Sequence, residues 1–142
     1  MEWDGFRHGV EIEIRFGDLD AMGHVNNAKY LTYMETARVH YFRQLGLWNG
    51  LSGTVGPIMA KATVEYRLPL DLSDSAVQVY TRCCRLGHKS FDVEHLIARE
   101  RDGAAAVAAS GVIVLVAFDY QAGLSVPIPD EWRGRISAFE GM

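Results

Sequence analysis

From Ile58 to Leu68 the chain alternates without interruption, with Ile58, Ala60, Ala62, Val64, Tyr66 and Leu68 set against Met59, Lys61, Thr63, Glu65 and Arg67. A period of two puts the first set on one face of an extended strand, which no helix can do. Three later segments also read as long strands: 76–86 (AVQVYTRCCRL), 90–100 (SFDVEHLIARE) and 104–120. The alanines of 104–109 favour helix, but the Val-Ile-Val-Leu-Val block after Gly111 is rich in β-branched residues and decides for strand. Pro69 closes the first strand, and Asp71–Ser75, Gly87 and the Asp102–Gly103 pair supply turns, so the pattern predicts an antiparallel meander of four successive strands.

A shorter alternating run, Val10–Phe16, predicts an earlier strand with Val10, Ile12, Ile14 and Phe16 facing inward, ending at Gly17. Only one long stretch has helical periodicity. Over Ala28–Leu45 the apolar positions Tyr30, Met34, Ala37, Tyr41 and Leu45 recur at steps of four or three, and Gly46 supplies a stop. The glycine-rich stretch Trp48–Pro57 reads as a mobile loop bordering a binding site, and Pro129-Asp130-Glu131 as the start of a short helix ending near Phe139. One long helix against a long antiparallel sheet is an α+β plan. It leaves sheet edge uncovered, so at least a homodimer is expected.

At 142 residues, 49% of them hydrophobic and 23% charged, the chain is expected to form a single domain over 1–142. A net charge of −4 disfavours coating nucleic acid or an anionic membrane. The nearly apolar stretch 104–118, broken by Ser110 and Gly111, is shorter than the ~18 residues of a membrane span, and no secretory signal pattern opens the sequence, so a cytoplasmic location is expected. Cys83 and Cys84 are adjacent and would point to opposite faces of a strand, so no disulfide is expected. No CxxC, HExxH or zinc-like spacing occurs, and no metal is expected.

Reactive side chains are densest in the loop Asp18-Leu19-Asp20-Ala21-Met22-Gly23-His24-Val25-Asn26-Asn27, between a strand end and the first turn of the long helix. A helix start offers unpaired N–H groups and the positive end of the macrodipole to a carbonyl or a developing oxyanion. A carboxylate just before it can act on the same carbon, an arrangement suited to acyl transfer. Asp18 either shares that work or serves in turn hydrogen bonding. Asn26 and Asn27 read as helix caps, with Asn26 also a ligand candidate for substrate or water. Glu35 can pair with Arg38 at i,i+3.

The string RFGDLDAMGHVNNAKYLTYMETAR (15–38) resembles the signature of hot-dog-fold acyl-CoA thioesterases of the 4-hydroxybenzoyl-CoA thioesterase-like group, and its HVNN is similar to a string in plant acyl-carrier-protein thioesterases. EYRLPLDLSD, RCCRLGHKSFDVEH and VLVAFDYQAGLSVPIP extend the resemblance over most of the chain. It implies a hot-dog fold, a long antiparallel sheet wrapped around one central α-helix, and hydrolysis of an acyl-CoA thioester without cofactor or metal. The second acid of the DxD string, Asp20, would then be the nucleophile or general base, and a backbone amide near Asn27 would polarise the carbonyl. His24 either takes part, as a histidine does in the plant enzymes, or packs within the loop; a helix glutamate of those relatives is matched only approximately by Glu35. An acyl-carrier protein is an alternative carrier of the substrate.

For substrate binding, Arg82, Arg85, His88 and Lys89 make a cationic edge, read either as solvated turn charge or as a site for CoA phosphates, with Lys89 and Ser90 the foremost candidates. Tyr30, Met34, Trp48 and Met59 are candidate acyl-pocket residues. Competing readings are a hot-dog hydratase or dehydratase, an acyl-CoA-binding protein without turnover, and a magnesium-dependent phosphoryl-transfer site at the DxD string, which lacks a phosphate-cradling loop.

Overall fold

The structure is a computed structural model in which residues 3–47 and 53–142 are described. In chain order it contains β1 (His8–Glu13), α1 (Asn27–Gln44), β2 (Val55–Tyr66), β3 (Ala76–Leu86), β4 (Ser90–Arg101), β5 (Ala104–Asp119), β6 (Leu124–Ser125) and α2 (Asp130–Glu140). All strand pairs are antiparallel, in the order β1-β3-β4-β5-β2, with β6 on β5. The expected α+β plan is present, and the sheet curls around α1.

The four-strand meander is corrected in one respect. β3, β4 and β5 are successive neighbours, but β2 lies beyond β5 and forms an edge. No tight turn joins β2 to β3. Instead β2 ends at Tyr66, the N–H groups of Arg67 and Leu68 both bond the Ala108 carbonyl, and the chain crosses with Leu70 fully buried. Ala108 sits at the irregularity where β5 drops out of register with β4, so the extra residue supplies an acceptor for the crossing segment.

β1 also departs from expectation, running from His8 to Glu13. The Arg15 N–H donates to the Asp18 carboxylate at 3.0 Å and closes a 3-10 turn over Phe16–Asp18. Extended backbone therefore stops before Phe16, which projects into solvent at 81% exposure instead of facing inward.

The long alternation of β2 is interrupted by a bulge at Ala60. Met59 pairs with Leu115 and Lys61 with Val114, so the strand switches face between them. The inward set is Pro57, Met59, Ala62, Val64 and Tyr66, and Ile58 turns outward beside Val116. Pro57 is tolerated because it lies on an edge strand, where a missing N–H breaks little.

α1 packs across β1, β3 and β4 through Tyr30, Tyr33, Met34, Ala37, Arg38, Tyr41 and Phe42. Its approach to β5 requires Gly111, since a Cβ there would lie 2.8 Å from the Met34 sulfur. α2 joins the same core through Trp132 and Ile136, beside Phe42 and Phe91. Asp130 and Glu131 occupy its first turn, where the helix dipole favours acids. Cys83 is buried, Cys84 is exposed, and both are free thiols as expected. Among the described residues, no helix is long and apolar enough to cross a membrane.

Candidate active site at the start of α1

The loop before α1 is a small hairpin. Leu19 bridges Val25, the Asp20 N–H donates to the His24 carbonyl, and the Gly23 N–H returns to the Asp20 carbonyl. Gly23 sits at φ +82°, a left-handed conformation that an L side chain would strain.

The two acids of the DxD string are sharply different. Asp18 is buried, and its carboxylate accepts the Tyr33 hydroxyl at 2.7 Å and the Arg15 N–H, with the Arg15 guanidinium at 3.5 Å and the Lys29 ammonium at 3.9 Å. Burial would raise its pKa, but these hydrogen bonds and charges more than offset that and hold it below the ordinary value. Burial, together with the hydrogen bond to Asp18, pushes the Tyr33 phenol up. Of the two roles open to Asp18, the geometry is that of a latch between the loop and α1.

Asp20 is exposed. Its Oδ1 accepts the N–H groups of Met22 at 2.9 Å and His24 at 3.3 Å, leaving Oδ2 without a partner among the described residues. Asn26 caps α1: its side chain accepts the Ala28 N–H at 2.9 Å, and its carbonyl accepts the Lys29 N–H. The cap thus uses two first-turn donors and leaves the Asn27 N–H without a protein acceptor among the described residues. The Asn27 carbonyl accepts the Tyr66 hydroxyl at 2.9 Å, tying the helix start to the end of β2. His24 has an exposed side chain, and its backbone bonds Asp20 within the loop and bridges Asp71.

The structure therefore brings together Asp20, His24, Asn26 and Asn27. Glu35 lies on an exposed face of α1, about 12 Å further along the helix. Its expected partner Arg38 turns inward instead, donating from Nη1 to His95 Nε2 at 3.3 Å. That leaves the neutral ring's proton on Nδ1, 3.0 Å from the Thr81 hydroxyl. Burial, reinforced by the Arg38 charge, holds His95 well below the usual histidine range.

Other binding candidates separate in the same way. Tyr30 and Met34 are buried in the core: the Tyr30 hydroxyl donates to the Leu68 carbonyl at 3.1 Å, and Met34 is fully buried. Met59 is 50% exposed on the inward face of β2. Trp48, with part of the expected 48–57 loop, lies outside the described residues, and residues 55–57 are strand. The cationic edge is half neutralised. Arg82 pairs with Glu94 at 3.0 Å, and Arg85 binds Asp92 at 2.8 Å and the Ser90 hydroxyl at 2.9 Å. Lys89 and His88 remain exposed, without a side-chain partner among the described residues. No group of three or more His, Cys, Asp or Glu side chains is placed to hold a metal ion among the described residues.

Sequence reasoning missed Tyr33 and Tyr66 as supports of this junction. It also missed a small apolar pocket lined by Phe42, Leu47, Pro57, Phe91 and Trp132. Helical spacing marked Tyr33 only as part of the long helix, and the lining of the pocket comes from the end of α1 and from β2, β4 and α2, which no local pattern connects.

Comparison with known proteins now defines the class. Residues 14–136 match the Thioesterase-like superfamily, and the chain belongs to that family. Among curated proteins it is 26% identical over 137 residues to the long-chain acyl-CoA thioesterase FadM of Escherichia coli, covering 89% of this chain and 95% of FadM. Among solved structures, a thioesterase from Thermus thermophilus complexed with coenzyme A and zinc is 38% identical with a TM-score of 0.83, covering 99% of both chains. A gentisyl-coenzyme A thioesterase is 28% identical with a TM-score of 0.80, covering 90% of this chain and 98% of that one.

Proposed function

We propose that the chain hydrolyses acyl-CoA thioesters at the junction of the 18–27 loop and α1, with Asp20 as its catalytic carboxylate. The observation that carries this reading is the contrast within the DxD string: Asp18 is fully bonded, while Asp20 presents a free carboxylate oxygen beside a helix start with an unused N–H. The thioester carbonyl oxygen is bound by the Asn27 N–H, where the helix dipole stabilises the negative charge that develops on it. Asp20 either takes a proton from water as the water attacks, or attacks the carbonyl itself to give an anhydride that water then opens. In both routes the C–S bond breaks, CoA leaves as the thiolate and is then protonated, and the free acid is released. The exposed His24 is a proton carrier within this group, and Asn26 fixes the helix start and meets substrate or water. Glu35 reaches the reaction only through the substrate or a second subunit, being two turns away.

Lys89, with Ser90 and Arg85 beside it, is proposed to receive the CoA phosphates, Lys89 supplying the uncommitted charge. Lys89→Ala then raises the KM for acyl-CoA several-fold more than that for a truncated pantetheine thioester, and equal effects on the two would remove this role. β2 offers a free twelve-residue edge with Ile58, Met59 and Tyr66 exposed, and a homodimer is proposed to form along it. Light scattering that finds only monomer at assay concentration would exclude it. The reaction is tested by thiol release from a panel of acyl-CoAs and acyl-carrier proteins. Turnover by the wild-type chain and its loss in Asp20→Asn support the reading, and full activity in Asp20→Asn overturns it.

A further inference from the structure

Residues 66–71, which lead the chain out of β2 toward β3, are bonded both to the candidate site and to the sheet. Toward the site, the Tyr66 hydroxyl donates to the Asn27 carbonyl at 2.9 Å, the Leu68 carbonyl accepts the Tyr30 hydroxyl at 3.1 Å, the Leu70 carbonyl accepts the Val25 N–H at 2.7 Å, and Asp71 bridges His24. Toward the sheet, the Arg67 and Leu68 N–H groups share the Ala108 carbonyl, and Arg99 donates from Nη1 to the Pro69 carbonyl at 2.6 Å. Arg101 adds an ion pair to Asp71 at 3.6 Å. The segment is therefore a strap, fixed to β4 and β5, that holds the 18–27 loop and the first turn of α1. His24 in turn donates its N–H to the Asp20 carboxylate at 3.3 Å, so the strap is linked to the carboxylate as well as to the helix start.

We infer that Tyr66 is a positioning residue for the reaction, acting through the Asn27 carbonyl to fix the direction of the Asn27 N–H, with the strap as its rigid mount. The inference rests on the proposed site at Asp20 and Asn27. Backbone bonding is incomplete in the first turn of a helix, so an N–H there keeps its direction only if something outside the helix fixes it. Donors to a developing oxyanion work by being held in place before the charge appears. The Asn26 cap binds the N–H groups of Ala28 and Lys29, and neither bond reaches residue 27 itself. Tyr66 supplies the missing tie. Its ring stands edge-on to Tyr30 with centroids 5.0 Å apart, and its backbone pairs with Ala109 of β5. The side chain is 45% exposed, so water readily replaces the lost partner and the bond adds little to folding. A displacement of about 1 Å at a reacting centre, by contrast, costs up to about a hundredfold in rate. Removing the hydroxyl should therefore be felt in turnover far more than in stability.

Tyr66→Phe removes the hydroxyl and keeps the ring. In thiol release it should lower kcat about tenfold, change KM by less than about twofold and leave the melting temperature within a few degrees of wild type. The donor itself is read from the infrared stretch of a bound thioester carbonyl. The probe is the acyl-CoA turned over fastest by the wild type, isotope-labelled at that carbonyl and bound to Asp20→Asn so that it is not consumed. A fixed donor lowers the stretch below its value in water, and adding Tyr66→Phe to Asp20→Asn moves it back toward that value. A kcat within about twofold of wild type in Tyr66→Phe, or a bound stretch that Tyr66→Phe leaves unchanged, overturns the positioning role and leaves Asn27 as the donor. A stretch in Asp20→Asn equal to that in water rejects Asn27 as the donor, and the role of Tyr66 falls with it. Full activity in Asp20→Asn rejects that carboxylate, and the same kcat loss at steady KM in Tyr66→Phe still upholds the positioning role.

Discussion

The two ends of α1 are built from opposite materials. Its N-terminal end meets a polar hairpin in which the Asp20 Oδ2 and the Asn27 N–H have no partner among the described residues, and these are the two groups the proposed mechanism uses. Its C-terminal end meets Phe91, Pro57 and Trp132, with no polar lining residue. In the proposed mechanism the start of the helix orients a reactive carbonyl by backbone polarity, whereas its finish packs side chains into an apolar core. The first task needs local hydrogen bonds, and the second needs several distant segments to converge.

The sharpest way to break the polar end is Asp20→Asn. It should lower kcat/KM by about a thousandfold, within the range for a positioned acid or base, while the melting temperature barely moves because the side chain is exposed. A large loss of stability instead would place Asp20 with the structural residues. Gly111→Ala attacks the packing that seats α1 on the sheet. The new Cβ would meet Met34, and we expect a loss of about 1–3 kcal/mol in denaturant unfolding, partly recovered by also making Met34→Ala.

Asp18→Asn tests the latch by its pH dependence. The folded Asp18 pKa lies below its ordinary value of 3.8, so this carboxylate adds stability above about pH 4 that is lost as acid titrates it in the folded state. In the variant that part of the acid sensitivity disappears, and a stability-against-pH curve parallel to wild type would refute it. His95 acts at higher pH. Its folded pKa is depressed from 6.5, so the unfolded chain takes up the proton first, and stability falls as pH drops below about 6.5. His95→Gln should flatten that window. Asn26→Ala is the mildest change, costing about 1 kcal/mol for one lost cap; it frees the Ala28 N–H and so weakens the selectivity of the helix start for a single donor.

Much of the polar end was legible in the sequence. The run from Asp18 to Asn27 is contiguous, caps and turns are decided by neighbours within a few residues, and helical spacing from Tyr30 onward needs no tertiary partner to be recognised. Which aspartate is free was not decided by pattern alone, because it depends on Tyr33 folding back over Asp18 and on Arg15 closing the turn that expels Phe16. The binding candidates were less legible. Tyr30 and Met34 have the right helical spacing for a pocket but point into the core, and Arg85 is matched by Asp92 across the strand pair.

By itself the sequence determined the strands, the long helix, the α+β class and the reactive loop, since alternation, helical period and capping chemistry are local properties of the chain. Tertiary structure alone decided that β2 lies beyond β5, that a bulge at Ala60 turns Met59 inward, and that Trp132 lines a small apolar pocket with Pro57. The physical reason is that strand order and register are settled by packing between segments far apart in the chain, and one extra residue in a strand reverses which side chains face the core.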